Sequence, residues 1–163
     1  MKKNTILTIV FVIGIFSSLA YVSASEYTRF SSGFKKHFKD CNSYQETVES
    51  SFEGKSFKTQ REIVGWRNGA CKYIETVSSG SEAYRLNCMF PDLQVDELYK
   101  SMKDKSKTSQ VYNLDLFELQ KDPKTGKESY NVVGNTTIRG NNTFITWAKY
   151  QNNPYFCRSE KLK

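Results

Sequence analysis

Three glutamates offer the one grouping in this chain that could hydrolyse a bond. If Asn68-Gly69 turns a hairpin, Glu62 falls opposite Glu75, and Glu82 lies on the same face near the next turn. Glycosidase chemistry needs two carboxyls about 5–10 Å apart, one of them held protonated. The same residues also read as the exposed end of a sheet, so a carboxylate-based hydrolase stands as the second alternative. Nucleophilic triads and Cys-His pairs would have to use the single histidine, His37. It sits next to Lys36 beside an apolar stripe, where a helix-surface histidine is the ordinary reading. Zinc chemistry lacks a close C-x-x-C pair, and no Gly-rich phosphate loop or nucleotide fingerprint occurs. Catalytic residues, metal ligands and cofactors are therefore assigned to none.

The basic residues form a second candidate surface: Lys35, Lys36 and Lys39; Lys100, Lys103, Lys105 and Lys107; and Lys121, Lys124 and Lys127. The chain carries 24 Lys+Arg against 17 Asp+Glu and a formal net charge of +7. Such a surplus can hold nucleic acid, anionic lipid or acidic glycan electrostatically. Every residue named is lysine, whereas bidentate phosphate recognition favours arginine, so solvated helix and loop surface is the competing explanation. Lys72, Arg85 and Ile74 make a comparable outward sheet face. Trp147, Tyr150, Asn152 and Asn153 could be imagined as a sugar-binding cluster, although turn formation already accounts for the amides. Asn135-Thr136-Thr137 and Asn141-Asn142-Thr143 match the N-glycosylation pattern, which carries little weight in a bacterium.

What must position these groups is an exported domain. Met1-Lys2-Lys3-Asn4 is a basic leader, Ile6 to Val22 is almost wholly apolar, and Val22-Ser23-Ala24 suits a signal peptidase. Cleavage after Ala24 is expected. An uncleaved anchor is the alternative, opposed by Ser17 and Ser18 within the run and by Ser25-Glu26 after it. No cysteine at the cleavage site offers a lipid attachment point. Removing residues 1–24 takes away Lys2 and Lys3 and leaves 22 basic against 17 acidic side chains, a net charge of +5. The destination is the periplasm or the medium, and the Lys- and Asn-rich body suggests a bacterial source.

All four cysteines, Cys41, Cys71, Cys88 and Cys157, lie in the exported part, where disulfides persist. The Asn68-Gly69 type I′ turn would set Trp66 opposite Cys71, Val64 opposite Tyr73 and Ile63 opposite Ile74. A two-residue Ser79-Gly80 loop would then set Cys71 opposite Cys88, at a non-hydrogen-bonded position suited to a bridge. Val64, Trp66, Cys71, Tyr73, Tyr84, Leu86 and Cys88 would share the core face. The expected pairs are Cys71–Cys88 and, by elimination, Cys41–Cys157.

Tyr27, Phe30, Phe34, Phe38 and Cys41 recur at helical spacing, predicting an amphipathic helix over about 26–39. A second helix over about 92–104 opens at Pro91-Asp92 and carries Leu93, Val95, Leu98 and Met102 on one side. Strands are expected over 43–52 and 55–66, joined at Glu53-Gly54, then through the two hairpins, from Ser109 onward, over 129–139 and over 143–150. A turn at residues 121–127 separates the strand from Ser109 from the next. The β-branched and aromatic content of the last segment, Phe144, Ile145, Trp147 and Tyr150, supports strand there. One α+β domain over 25–163 follows, a mostly antiparallel meander of hairpins with two helices, stapled by two disulfides.

An N-terminal helix beside a disulfide-bearing antiparallel sheet resembles the layout of the cystatin inhibitors. Their Gln-x-Val-x-Gly loop is not matched, because Gln60-Arg61-Glu62-Ile63-Val64-Gly65 has another spacing, and layout alone carries no function. The expected function is a small exported, non-enzymatic protein that binds an unknown extracytoplasmic protein. The first alternative is salt-sensitive adherence to an anionic polymer or membrane surface through the lysine clusters.

Overall fold

The first helix begins where Ser31 can cap it. A computed structural model describes residues 30–52 and 54–162, and in it the Ser31 hydroxyl accepts a hydrogen bond from the Phe34 amide at 2.9 Å, opening α1 (Ser32–Lys39). The signal segment 1–24, the helix start at 26–29 with Tyr27, and Glu53 lie outside those residues. Phe34 and Phe38 are the buried side chains of α1, as their spacing requires. The helix stops in a Schellman arrangement: the Cys41 amide donates to Phe38 O and the Asn42 amide to His37 O. Cys41 takes the left-handed position with φ +49°, where glycine is the usual occupant.

The chain then runs through β1 (Tyr44–Phe52), β2 (Lys55–Arg67), β3 (Ala70–Ser79) and β4 (Glu82–Phe90). After α2 (Asp92–Lys103) come β5 (Gln110–Lys121), β6 (Glu128–Gly140), α3 (Asn142–Gln151) and β7 (Cys157–Lys161). Five strands form an antiparallel sheet in the order β1-β2-β3-β4-β7, and β5 pairs with β6 in a separate ribbon. The architecture is α+β, as expected. The helices pack on one face of the sheet. Phe30, Phe34, Phe38, Ile63, Tyr73, Phe90, Val95, Leu98 and Trp147 form the core there. Trp147 lies at its centre, with ring centroids 4.7 Å from Phe30, 5.4 Å from Phe38 and 5.5 Å from Tyr73.

The first hairpin turns at Asn68-Gly69, both with positive φ, and places Trp66 opposite Cys71. A bulge follows: Gly65, at φ +110°, faces Lys72, but Ile63 faces Tyr73, leaving Val64 without a partner across the ladder. The expected pairs Val64 with Tyr73 and Ile63 with Ile74 are therefore wrong, and Thr59, Arg61 and Ile63 turn to the core. Trp66 is 39% exposed, and its indole N–H donates to the Asp40 carbonyl at the helix end. In the second hairpin Ser79 faces Glu82, so the loop is Gly80-Ser81 with Gly80 at φ +58°. A type II′ turn has positive φ at its first central residue alone, which is where the glycine stands.

That two-residue slip preserves which side chains face the core and changes every pairing. Cys71 lies opposite Phe90, and Cys88 opposite Tyr73. The expected disulfides are corrected accordingly: Cys41 bonds Cys71 and Cys88 bonds Cys157, with Cα separations of 5.7 and 4.1 Å. Cys88 and Cys157 are direct partners across β4 and β7. The Met89 amide donates to Phe156 O beside them, so the bridge occupies a non-hydrogen-bonded pair, the position argued for but with another partner.

Residues 143–150 are helix, not strand. The Asn141 side chain caps α3 by accepting from the Phe144 amide at 2.8 Å. Thr143, Phe144, Ile145, Trp147, Ala148, Tyr150 and Gln151 are all buried. A helix buried nearly all round shows no apolar stripe, and β propensity then misleads. Its second side meets the ribbon in a smaller cluster of Leu114, Ile138, Phe144, Ile145 and Ala148. Helix α2 matches its expected span, with Val95, Leu98 and Met102 buried, although Leu93 is 63% exposed.

Candidate functional site

The three glutamates do not meet. Glu75 points into the core opposite Arg61, Glu62 lies beside Ile74 on the outward face, and Glu82 pairs with Lys161 at 3.6 Å near the β3–β4 turn. The bulge at Val64 is the cause, because one extra residue in β2 reverses which face Glu62 joins. The buried group that results is an ion network. Arg61 reaches Glu46 at 2.9 Å and Glu75 at 3.7 Å, the Tyr73 hydroxyl donates to Glu75 at 2.6 Å, and the Gln151 amide donates to it at 3.3 Å. The Arg61 guanidinium lies 4.4 Å from the Phe30 ring centroid. Arg61 and Glu75 are 1% and 3% exposed, so this network rivets β1, β2, β3 and α3 together and presents no carboxyl to a cleft. Removing one member would strand a buried charge at a cost of about 3–5 kcal/mol.

His37 is stacked on Tyr44 with ring centroids 4.8 Å apart, and Tyr44 in turn covers Gly33. The lysines occupy three places: Lys35, Lys36 and Lys39 on α1; Lys100 and Lys103 on α2 with Lys105 and Lys107 in the following loop; and Lys121, Lys124 and Lys127 around the ribbon turn. Two of them are engaged locally. Lys100 bonds Asp96 at 2.5 Å, and that hydrogen bond and charge hold its ammonium above its ordinary pKa. Lys103 lies 5.3 Å from the Tyr99 ring centroid. Arg85 of the outward face pairs with Glu160 at 3.4 Å. The imagined sugar cluster dissolves: Trp147 and Tyr150 are core residues, the Asn152 amide donates to Asp115 O, and Asn153 accepts from the Tyr155 amide. Among the described residues no group of three or more His, Cys, Asp or Glu is placed to hold a metal ion, and no helix is long and apolar enough to cross a membrane.

Two features that the sequence did not mark stand out. One is the far end of the ribbon. Leu116 faces Gly134 but Phe117 faces Val132, so Val133 is a bulge, and from there Phe117, Leu119, Tyr130 and Val132 share one side. Leu119 is 44% and Val132 57% exposed. Tyr155, 70% exposed, brings its ring to 5.7 Å from that of Tyr130. Arg158 and Glu128, 3.7 Å apart, join the ribbon to β7. The signal lay in the bulge, which converts an unremarkable alternation into a continuous apolar side.

The other is a cleft at the opposite end of the sheet. Pairing of β2 with β3 ends at Lys58 and Ser78, while β2 continues to Lys55 against β1 and β3 continues to Ser79 against β4. The two hairpins part there. An opening of about 530 Å³ results, lined by residues 49–51 and 56–58 of one hairpin and by Ser78 and Gly80 of the other. Both disulfides fit an extracellular or periplasmic protein. Neither a known protein family, nor a curated protein, nor a solved structure matches the chain.

Proposed function

We propose that this chain is exported, cleaved after Ala24, and acts outside the cytoplasm of a bacterium as a small binding protein without chemistry of its own. It engages a protein partner through the apolar side of the ribbon. The observation that carries this reading is the exposure of Leu119, Val132 and Tyr155 on one side of a two-stranded ribbon. Apolar side chains grouped on a surface mark contact sites, and an unpaired strand edge beside them offers backbone hydrogen bonds to an incoming strand. The buried state of Glu75 and its separation from Glu62 and Glu82 argue against the carboxylate hydrolase.

A photo-reactive residue at position 119 is expected to capture one discrete protein from envelope or medium extracts of the source, and the same residue at position 36 on α1 is not. Capture at both positions alike, or at neither, refutes the ribbon. Adherence to an anionic polymer or membrane surface is the second reading, favoured by the exposure of Lys36, Lys39, Lys103, Lys105 and Lys107. It requires binding that falls steeply with salt.

A further inference from the structure

We infer that the ribbon takes its partner as a strand added along the outer edge of β5, and that this strand is acidic, with apolar residues opposite Phe117 and Leu119 and a carboxylate opposite Lys121. This rests on the reading of the ribbon as the contact surface, and adds the edge and the chemistry. The first support is the direction of the main chain. At the turn the Asp122 amide donates to Lys127 O, so those two residues face each other through a hydrogen bond and the next pair, Lys121 with Glu128, does not. The extra residue at Val133 belongs to β6 and leaves the alternation along β5 unbroken. The amides and carbonyls of Phe117, Leu119 and Lys121 therefore point away from β6. Asp115 keeps the same phase, since its carbonyl turns outward to accept from the Asn152 side chain at 2.6 Å. Past Asp115, no hydrogen bond among the described residues reaches the outer main-chain groups of Phe117, Leu119 and Lys121. Groups left open in this way receive a strand.

The second support is the order of the side chains. A strand bonded at these three residues sets its own side chains opposite them on the same face. Phe117 is half-buried and Leu119 is 44% exposed, so the first two positions call for apolar partners. Lys121 is exposed, and Lys124 and Lys127 follow it in the turn. The nearby carboxylates are engaged locally: Asp122 accepts from the Lys124 and Thr125 amides at 2.7 and 3.2 Å, and Glu128 pairs with Arg158 at 3.7 Å. Three ammonium groups against the one carboxylate of Asp122 thus stand at the end of the added strand, where an acidic residue is attracted and a basic one repelled. On β6 the facing residues already have company, Tyr130 from Tyr155 and Glu128 from Arg158.

The test is selection of a displayed library of random nine-residue peptides on the oxidised chain, followed by amide-shift titration with the enriched sequence as a synthetic peptide with blocked ends. Enriched peptides are expected to carry two apolar residues two positions apart and an acidic residue two positions from one of them, and to shift residues 117–121 saturably. Lys121→Gln, at an exposed position, should weaken binding of that peptide by about fivefold, and replacing the peptide's acid by its amide should do the same. The two changes together should weaken it no further than either alone, because they remove one interaction. Enriched peptides that are basic, or that bind Lys121→Gln as tightly as the parent, overturn the acidic strand. Shifts confined to residues 128–132 overturn the choice of β5 and leave the ribbon as the contact surface. Failure to enrich any peptide that moves residues 117–121 overturns the inference as a whole, and photo-capture at position 119 separately decides the ribbon itself.

Discussion

Cys41 combines two structural duties that mutagenesis can separate. It closes a disulfide to Cys71 over a sequence separation of 30, and it holds the left-handed residue of the α1 Schellman end at φ +49°. Chain-entropy arithmetic for a loop of that length gives about 3.6 kcal/mol for the bridge. Left-handed backbone costs a non-glycine residue about 1–2 kcal/mol, of which glycine's greater freedom when unfolded returns roughly 0.5–1. With Cys71→Ala in both backgrounds, Cys41→Ala loses the bridge and keeps the strain, whereas Cys41→Gly loses the bridge and relieves it. Both should be less stable than the parent by about 3–4 kcal/mol in urea unfolding. The glycine variant should exceed the alanine variant by about 0.5–1 kcal/mol, or roughly 2–4 °C in Tm for a chain of this size. Equal stabilities, or an advantage for alanine, would refute the assignment of position 41 as the costly left-handed residue.

Two further expectations concern other contacts. Gly33→Ala places a Cβ 2.4 Å from the Tyr44 hydroxyl, and should lower stability by about 1–3 kcal/mol in the same unfolding assay as the ring is displaced from α1 and His37. Burial raises the Tyr150 phenol above its ordinary value of 10.0, helped by its hydrogen bond to Glu97 and the charge of that carboxylate. A raised folded pKa keeps its contribution intact below the unfolded value and loses it as pH climbs from about 10 toward the folded one. Denaturant midpoints should therefore fall above about pH 10, and Tyr150→Phe should flatten that decline.

Much of the fold was legible because local signals carried it. The phenylalanine spacing and the lysines facing away specify α1, although the expected span of 26–39 ran through Ser31, the residue that caps a helix beginning at Ser32, and Asn68-Gly69 specifies the first turn. The side-chain faces of β3 and β4 were also readable, since a two-residue slip leaves alternation intact. The pairing was not. It depended on whether Gly80 stands first or second in its turn and on a bulge at Val64, and each error moved Cys88 or Glu62 to another neighbour. The disulfides inherited that error, and so did the supposed cluster of glutamates. Helix α3 hid for another reason: burial on nearly every side erased its periodicity, and only Asn141 as a cap hinted at it. Strand β7 is short and charged outside Cys157 and offers no apolar pattern. The ribbon side and the cleft arise where one ladder bulges and another stops, which are events between strands and leave no mark within one strand.

The Cys88–Cys157 bridge encloses everything from α2 to the end of α3, including the whole ribbon and its lysine-bearing turn. A protease that cuts after Lys121, Lys124 or Lys127 therefore releases nothing. The two pieces stay joined by sulfur and run as one species until a reductant is added. Outside the cell, where proteases are many and reductants few, the turn can be clipped without shedding the strands that flank it.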